Sequence, residues 1–237
     1  MKRQLFRLLV RWAAITTSLS VVLFLAAGST HIPSIRRYLV VNSVMLLVTM
    51  LAVDPRLAEE RAHPKSGGSD RLRFASGFFS LLTLAVAAFA VGRLNFGLNV
   101  PTPFRDSALV AVVLSGSLQT WAMVVNPFFS PIVRLQAERG HHVIADGPYR
   151  FTRHPGYLAM LISVPASSLA IGSWIALIPA TCFVLVILRR AQIEDEFLQK
   201  NLPDYAEYAR LVPGTLILHP KRIAREQWMP RQRSENE

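Results

Sequence analysis

Gly147-Pro148-Tyr149-Arg150-Phe151-Thr152-Arg153-His154-Pro155-Gly156-Tyr157 opens the last apolar run of the chain. Its aromatic rings, two arginines and histidine stand between two very apolar regions, where ionisable groups are costly and usually mark a site. From 154 to 188 the sequence holds no Asp, Glu, Lys or Arg. As one helix that run would reach about 50 Å, against about 30 Å of bilayer hydrocarbon. Gly172-Ser173 lies near its middle, and Gly is a common helix terminator. The run therefore reads as two short antiparallel helices. Such a hairpin returns Arg189-Arg190 and Glu194-Asp195-Glu196 to the edge from which Arg153-His154 set out, and the two clusters form one pocket.

Working outward, four further windows lack charge: 12–35, 38–53, 74–92 and 107–133. With the split hairpin they give six transmembrane helices, so the fold class is all-α, a polytopic integral membrane helical bundle. Hydrophobic residues make up 51% of the chain and charged ones 17%, too little polar surface for a soluble domain of this size. With the N-terminus inside, only Arg36, Arg37, Arg93 and Arg105 fall outside, of 26 basic residues. That satisfies the positive-inside rule and places both termini and the pocket in the cytoplasm. The same skew accounts for the net charge of +11 through anionic lipid, and no nucleic-acid motif competes with it. An Arg- and Ala-rich composition points to a bacterial inner membrane. Residues 1–30, basic then apolar and ending at Ala26-Ala27-Gly28, read as a first span rather than a secretory signal, since further spans follow.

Residues 54–73 form a polar cytoplasmic loop containing Lys65 and Gly67-Gly68, and Asn95 to Arg105 a short outer loop with Pro101 and Pro103. Asn126-Pro127 and Ser130-Pro131 end the fourth span, because each Pro displaces its predecessor from helical geometry. An amphipathic interfacial connector over 132–146 follows. The stretch 191–211 reads as a charged helix–turn–helix, its second helix beginning at Pro203-Asp204. Pro165 and Pro179 sit inside the hairpin's helices, where each permits a kink. Ser163, Ala166, Ser167, Ser168 and Ala170 keep the first of those helices slim for close packing. The chain divides into N-terminal helices and loops at 1–105, a core at 106–220 and a disordered basic tail at 221–237.

Several residues in this frame suit a polar ligand. Pro155 fits the first turn of the hairpin, whose free N–H groups can receive an anion. Arg190 and Glu194, four apart, share a helix face. His141-His142 lack the spacing and the Cys partners of a metal site. Cys182, inside an apolar helix, reads as packing.

The run Gly140-His141-His142-Val143-Ile144-Ala145-Asp146-Gly147-Pro148-Tyr149, followed by Arg153-His154-Pro155-Gly156-Tyr157, resembles the signature of the isoprenylcysteine carboxyl methyltransferase and phospholipid methyltransferase superfamily. Arg190, Glu194-Asp195, Leu198, Leu202, Tyr205, Tyr208 and Val212-Pro213 continue the likeness, which covers roughly 126–214. The resemblance implies a membrane enzyme that binds S-adenosyl-L-methionine in a cytoplasmic pocket made by the C-terminal hairpin and tail helices. A lipophilic methyl acceptor, a prenylated-cysteine-like carboxylate or a lipid amine, would enter from the bilayer.

By motif, His141, Val143, Gly147, Tyr149, His154, Pro155 and Tyr157 would line the cofactor site, with Glu194 or Asp195 at its polar end. Arg153 and Arg190 would face the acceptor or the cofactor carboxylate. The catalytic set is then Arg153, Arg190, Glu194 and Asp195. Methyl transfer from a sulfonium needs alignment and exclusion of water rather than a nucleophilic side chain. An amine acceptor would also need a base, for which Glu194, Asp195 or His154 could serve. Two other readings compete. Membrane sterol reductases share a similar Arg-His-Pro element and bind NADPH, but they carry Asn where Gly156 stands. A catalytically silent lipid-binding scaffold would keep the same helices without the chemistry.

Overall fold

The computed structural model describes residues 2–62, 70–94 and 100–217. Among them every regular element is helical: α1 (Lys2–Ala27), α2 (Pro33–Ala52), α3 (Pro55–Ala62), α4 (Asp70–Arg93), α5 (Thr102–Val125), α6 (Pro155–Ile171), α7 (Leu177–Asn201) and α8 (Tyr205–Leu211). Helices α1, α2, α4 and α5 are each long and apolar enough to cross a bilayer, and α6 is a shorter apolar helix. The apolar first half of α7 packs beside α6 and α4, so the six-helix bundle is built from four long spans and a shorter hairpin. The large apolar side chains that α1 and α2 leave exposed, Phe6, Leu25 and Val40 among them, face outward where a bilayer would solvate them.

Several boundaries differ from the sequence reading. The first span runs from Lys2 to Ala27 rather than over 12–35. Gly28 then turns the chain at φ +70°, and Pro33 opens α2 as its first residue. Basic side chains such as Arg7 and Arg11 therefore ride on the first helix. The polar loop over 54–73 contains α3, and α4 has already begun at Asp70. The Lys65 segment, residues 95–99 of the outer loop and the tail 221–237 lie outside the described residues. The connector over 132–146 is irregular backbone with a 3-10 turn at Ala137–Arg139, and a second such turn, Gly147–Arg150, follows it. Residues 191–201 form no separate helix but continue α7. Pro179 stands in the first turn of α7, where it kinks nothing, whereas Pro165 does lie inside α6.

The hairpin itself follows the sequence. Gly172 caps α6 in the left-handed region at φ +118°, a conformation that costs Gly least. The slim face of α6 earns its composition here: Ala166 and Ala170 pack with Leu23, Ile35, Tyr38, Ala87 and Ala108 in the central core. Close approach recurs where α1 meets α4, since a Cβ on Gly92 would lie 2.2 Å from the Ala27 carbonyl oxygen. Polar side chains inside the bundle find partners across helices. Thr49 Oγ1 lies 2.7 Å from Thr120 Oγ1, and Trp12 Nε1 donates to the Ser43 carbonyl at 2.9 Å.

Helix alternation gathers the start of α4, the ends of α2, α5 and α7, and the start of α6 at one end of the bundle. The opposite end is held by the Arg37–Asp106 ion pair at 2.9 Å and by Arg93, which donates to the carbonyls of Ala26 and Leu25 that end α1. A C-terminal stretch, 212–215, returns over the start of α6. There Gly214 O accepts from Arg153 N at 3.0 Å and Thr215 O from His154 N at 3.1 Å.

Candidate active site

The end of the bundle that carries the start of α6 encloses a cavity of about 340 Å³, with the connector over it. Its walls combine the helices with irregular chain. His154 caps α6, and Pro155 is the first helical residue, with no N–H to leave unpaired. Tyr157, one turn in, donates from its hydroxyl to Glu194 Oε2 at 2.6 Å. Glu194 Oε1 has no hydrogen-bond partner among the described residues. Arg190, one turn earlier on α7, donates to Ser76 Oγ at 3.1 Å and to the Pro131 carbonyl at 2.7 Å. Its guanidinium carbon stands 5.7 Å from the Tyr157 ring centre.

Asp195 faces the other way. It is 7% exposed and does not reach the cavity wall. Arg153 grips it in a fork, Nε to Oδ1 at 2.8 Å and Nη2 to Oδ2 at 2.9 Å. Oδ1 also receives the Tyr205 hydroxyl at 2.9 Å and contacts His154 Nε2 at 3.1 Å, while Gln199 donates to Oδ2 at 2.8 Å. Burial alone would raise the pKa of this carboxyl. The hydrogen bonds and positive charge of His154 and Arg153 outweigh it and hold the group well below the usual carboxylate range. Arg153 spends its remaining donors on the Val212 carbonyl at 2.7 Å and Thr215 Oγ1 at 2.6 Å. The knot thus ties α6, α7, α8 and the C-terminal stretch together.

The connector completes the wall. The His141 ring stacks on Phe128 with centres 4.5 Å apart, and its Nδ1 accepts from Gln136 N at 3.3 Å. That acceptor role makes the ring neutral with the proton on Nε2. Burial, with His142 and nearby arginines, lowers its pKa to about 4. Gln136, fully buried, fixes the turn by donating to the Phe128 carbonyl at 2.8 Å. Tyr149 accepts from Asn126 Nδ2 at 3.1 Å, and Tyr208 donates to the Tyr149 carbonyl at 2.7 Å. Arg134 anchors the connector to α3 through Glu60 at 2.6 Å and holds Glu138 at 2.8 Å.

Of the residues expected to line one site, His141, Val143, Tyr149, Arg153, His154, Tyr157, Arg190 and Glu194 border this cavity. Gly147 and Pro155 do not. A Cβ on Gly147 would lie 2.9 Å from Val125 and 3.1 Å from Trp121, and its φ is +58°, so this glycine lets the connector turn tightly against α5. Gly156 has an equally local reason: a Cβ there would lie 2.4 Å from the Phe129 ring. The ring that occupies this space also carries the Arg61 guanidinium, 5.0 Å from its centre.

Sequence reading missed Arg61, Arg73 and Ser76, which enter the wall from α3 and the start of α4. It had assigned the arginines to a polar loop and to generic inside charge. The packing of α4 on α7 brings Arg73 and Ser76 to Arg190, and the contact of Arg61 with Phe129 holds it at the same wall.

Fold and site define an all-helical integral membrane protein whose last hairpin and connector enclose a charged cavity at one end. Residues 108–200, which supply most of the cavity wall, match the isoprenylcysteine carboxyl methyltransferase (ICMT) family. It is 29% identical over 133 residues to the protein-S-isoprenylcysteine O-methyltransferase of Schizosaccharomyces pombe, covering 54% of either chain. The probable protein-S-isoprenylcysteine O-methyltransferase of Oryza sativa subsp. indica is 32% identical over 117 residues, 46% of this chain and 58% of that one. A differently named relative, the cobalt-zinc-cadmium resistance protein CzcN of Cupriavidus metallidurans, is 32% identical over 85 residues, 34% of this chain and 38% of its own length. The chain spans little more than half the length of the methyltransferases it matches.

Proposed function

We propose that the chain is an S-adenosyl-L-methionine-dependent methyltransferase of the membrane, acting on a lipophilic acceptor at a cytoplasmic cavity. The observation that carries this reading is the meeting of Tyr157–Glu194 from the hairpin with His141 and Tyr149 from the connector around one cavity, inside the segment that matches the ICMT family. Cytoplasmic orientation rests on the basic end of the bundle and the positive-inside rule.

The residues present fit the cofactor. Glu194, with Oε1 uncommitted, suits an ammonium group. Val143, Ile144, Leu198 and Leu202 give an apolar wall for a flat base, and His141 Nε2–H a donor beside it. The cofactor supplies a methyl group already activated on a sulfonium. Tyr157 orients Glu194, and the aromatic and aliphatic wall excludes water, so that alignment rather than a protein nucleophile does the chemistry. A carboxylate acceptor would be oriented by Arg190. An amine acceptor would need to lose a proton to a base beside the transferred methyl group. Asp195, saturated with donors, positions Arg153 and His154 instead of touching ligand.

Gly77 gives the acceptor a route. It lines the cavity on an exposed stretch of α4, a Cβ there would meet nothing within 4 Å, and Phe74 and Phe78 beside it are 69% and 60% exposed. The test is calorimetric binding of S-adenosylhomocysteine, with NADPH in parallel, to the chain in neutral detergent, followed by methylation assays on S-prenylated cysteine and on lipid amines. Micromolar binding of S-adenosylhomocysteine alone is expected. NADPH binding alone would transfer the chain to the reductases, and binding of neither would leave a lipid-binding scaffold.

A further inference from the structure

The cavity wall is not electrically balanced. Arg153 is matched by Asp195, and Arg134 lies between Glu60 and Glu138. What remains facing the cavity is Arg61, Arg73 and Arg190 against the single carboxylate of Glu194. The three guanidiniums are not equally free. Arg190 has both terminal nitrogens engaged, Nη1 with Ser76 Oγ at 3.1 Å and Nη2 with the Pro131 carbonyl at 2.7 Å. Ser76 Oγ in turn donates to the Arg73 carbonyl at 2.8 Å, which sets the first turn of α4 against Arg190. Arg61 stands over the Phe129 ring and donates once, to the Phe129 carbonyl at 3.3 Å. The Arg73 side chain makes no hydrogen bond among the described residues, and neither Arg61 nor Arg73 has an acidic partner there. Like charges crowded in a partly buried wall cost stability unless anions join them.

We propose that the acceptor is a lipophilic dicarboxylate, one carboxylate being methylated beside Arg190 while the other is held, unreacted, by Arg61 and Arg73. This rests on the methyltransferase reading and adds to it a second acidic group on the acceptor. Nucleophile and anchor place opposite demands on a carboxylate. The one that attacks must keep an oxygen lone pair free, and a full guanidinium fork would draw that charge away. Arg190, engaged at both terminal nitrogens, steers a carboxylate without forking it. In the transfer, the carboxylate oxygen bonds to the methyl carbon as the carbon–sulfur bond breaks and its electron pair passes to sulfur. The sulfonium becomes a neutral thioether, the carboxylate a neutral ester, and no proton moves. The reacting group thus loses its charge and its hold on any arginine. A carboxylate that does not react keeps Arg61 and Arg73 matched from binding to release, and its binding energy positions the one that does. Both of these arginines lie outside the segment 108–200 that matches the family, whereas Arg190 lies within it. Gly77, one turn beyond Arg73 and beside exposed Phe74 and Phe78, lets the apolar chain leave along the outer face of α4.

The experiment is titration calorimetry of the full chain in neutral detergent, with S-adenosylhomocysteine present, at neutral pH. The probes are N-octanoyl-L-glutamate, its single-carboxylate counterpart N-octanoyl-L-glutamine, and glutarate, which lacks the apolar tail. The glutamate probe is expected to bind about tenfold more tightly than either of the others, and to yield a monomethyl ester when S-adenosyl-L-methionine is supplied. The R61Q/R73Q double variant should lose that preference while its affinity for S-adenosylhomocysteine stays within about twofold. R73Q alone, removing a side chain with no hydrogen bond among the described residues, should lose part of it and serves if the double variant does not fold. Equal affinity of wild type for the two octanoyl probes would overturn the proposal and leave the methyltransferase reading standing. An unchanged preference in R73Q and in the folded double variant would do the same. Glutarate binding as tightly as the glutamate probe would overturn it in favour of a soluble diacid, and a dimethyl ester as product would show that the anchored carboxylate reacts. Preference for the glutamate probe without S-adenosylhomocysteine binding would sink the methyltransferase reading and this proposal with it.

Discussion

Two arginine-rich regions meet at the same end of this bundle and behave as opposites. Around Asp195 every charge is matched: Arg153 forks the carboxylate, and His154, Tyr205 and Gln199 surround it. Around Glu194 the charges are unmatched, with one carboxylate oxygen open and Arg61 and Arg73 without acidic partners among the described residues. Neighbours in sequence, Glu194 and Asp195 project about 100° apart on α7, so one meets the cavity and the other the interior. A saturated network rigidifies, whereas an unsaturated one holds its capacity for a ligand.

The largest expected effect breaks the matched side. Asp195→Ala strands a buried guanidinium and should cost about 3–5 kcal/mol, read as a fall in thermal unfolding temperature in detergent with loss of S-adenosylhomocysteine binding as a consequence. If D195A kept wild-type stability, the distinction between the two regions would fail. On the unmatched side, Glu194→Gln should leave unfolding within about 0.5 kcal/mol and weaken S-adenosylhomocysteine by tenfold or more, about 1.4 kcal/mol. Unchanged affinity in a folded E194Q would remove Glu194 from the cofactor site.

A smaller effect lies in the packing beneath Arg61. Gly156→Ala forces the Phe129 ring to move, and Arg61 with it, and should cost about 1–3 kcal/mol, read as a fall in thermal unfolding temperature. Unaltered stability would mean that the ring yields freely. The smallest effect is a pH dependence. His141 titrates near 4 when folded and near 6.5 when free, so the unfolded chain binds the extra proton between those values. Its contribution to stability is full above about pH 6.5 and declines as pH falls towards 4. Wild type should therefore lose more stability than His141→Gln between pH 7 and 4.5. Parallel pH profiles would show that His141 is not held neutral.

Much of this was legible in the chain. Charge-free windows gave the helices, and the length of the run after His154 with Gly172 at its middle gave the hairpin. That geometry in turn brought Arg190 and Glu194 back to His154. Such features are local: bilayer thickness and backbone satisfaction act on each segment separately. Boundaries were less legible. Arg7 and Arg11 do not end a helix whose ends can lie in headgroups, and nothing in 191–201 stops α7.

Sequence by itself determined an all-helical membrane bundle with a polar cluster at the base of its last hairpin. Tertiary structure alone decided which charges were spent. Helix phase sent Asp195 inward and Glu194 outward, Gly147 and Gly156 proved to be contact points for Val125 and Phe129, and the packing of α3 and α4 brought Arg61 and Arg73 to a cavity far from them in sequence. Whether a charge is satisfied depends on partners from distant segments, and no local pattern records them.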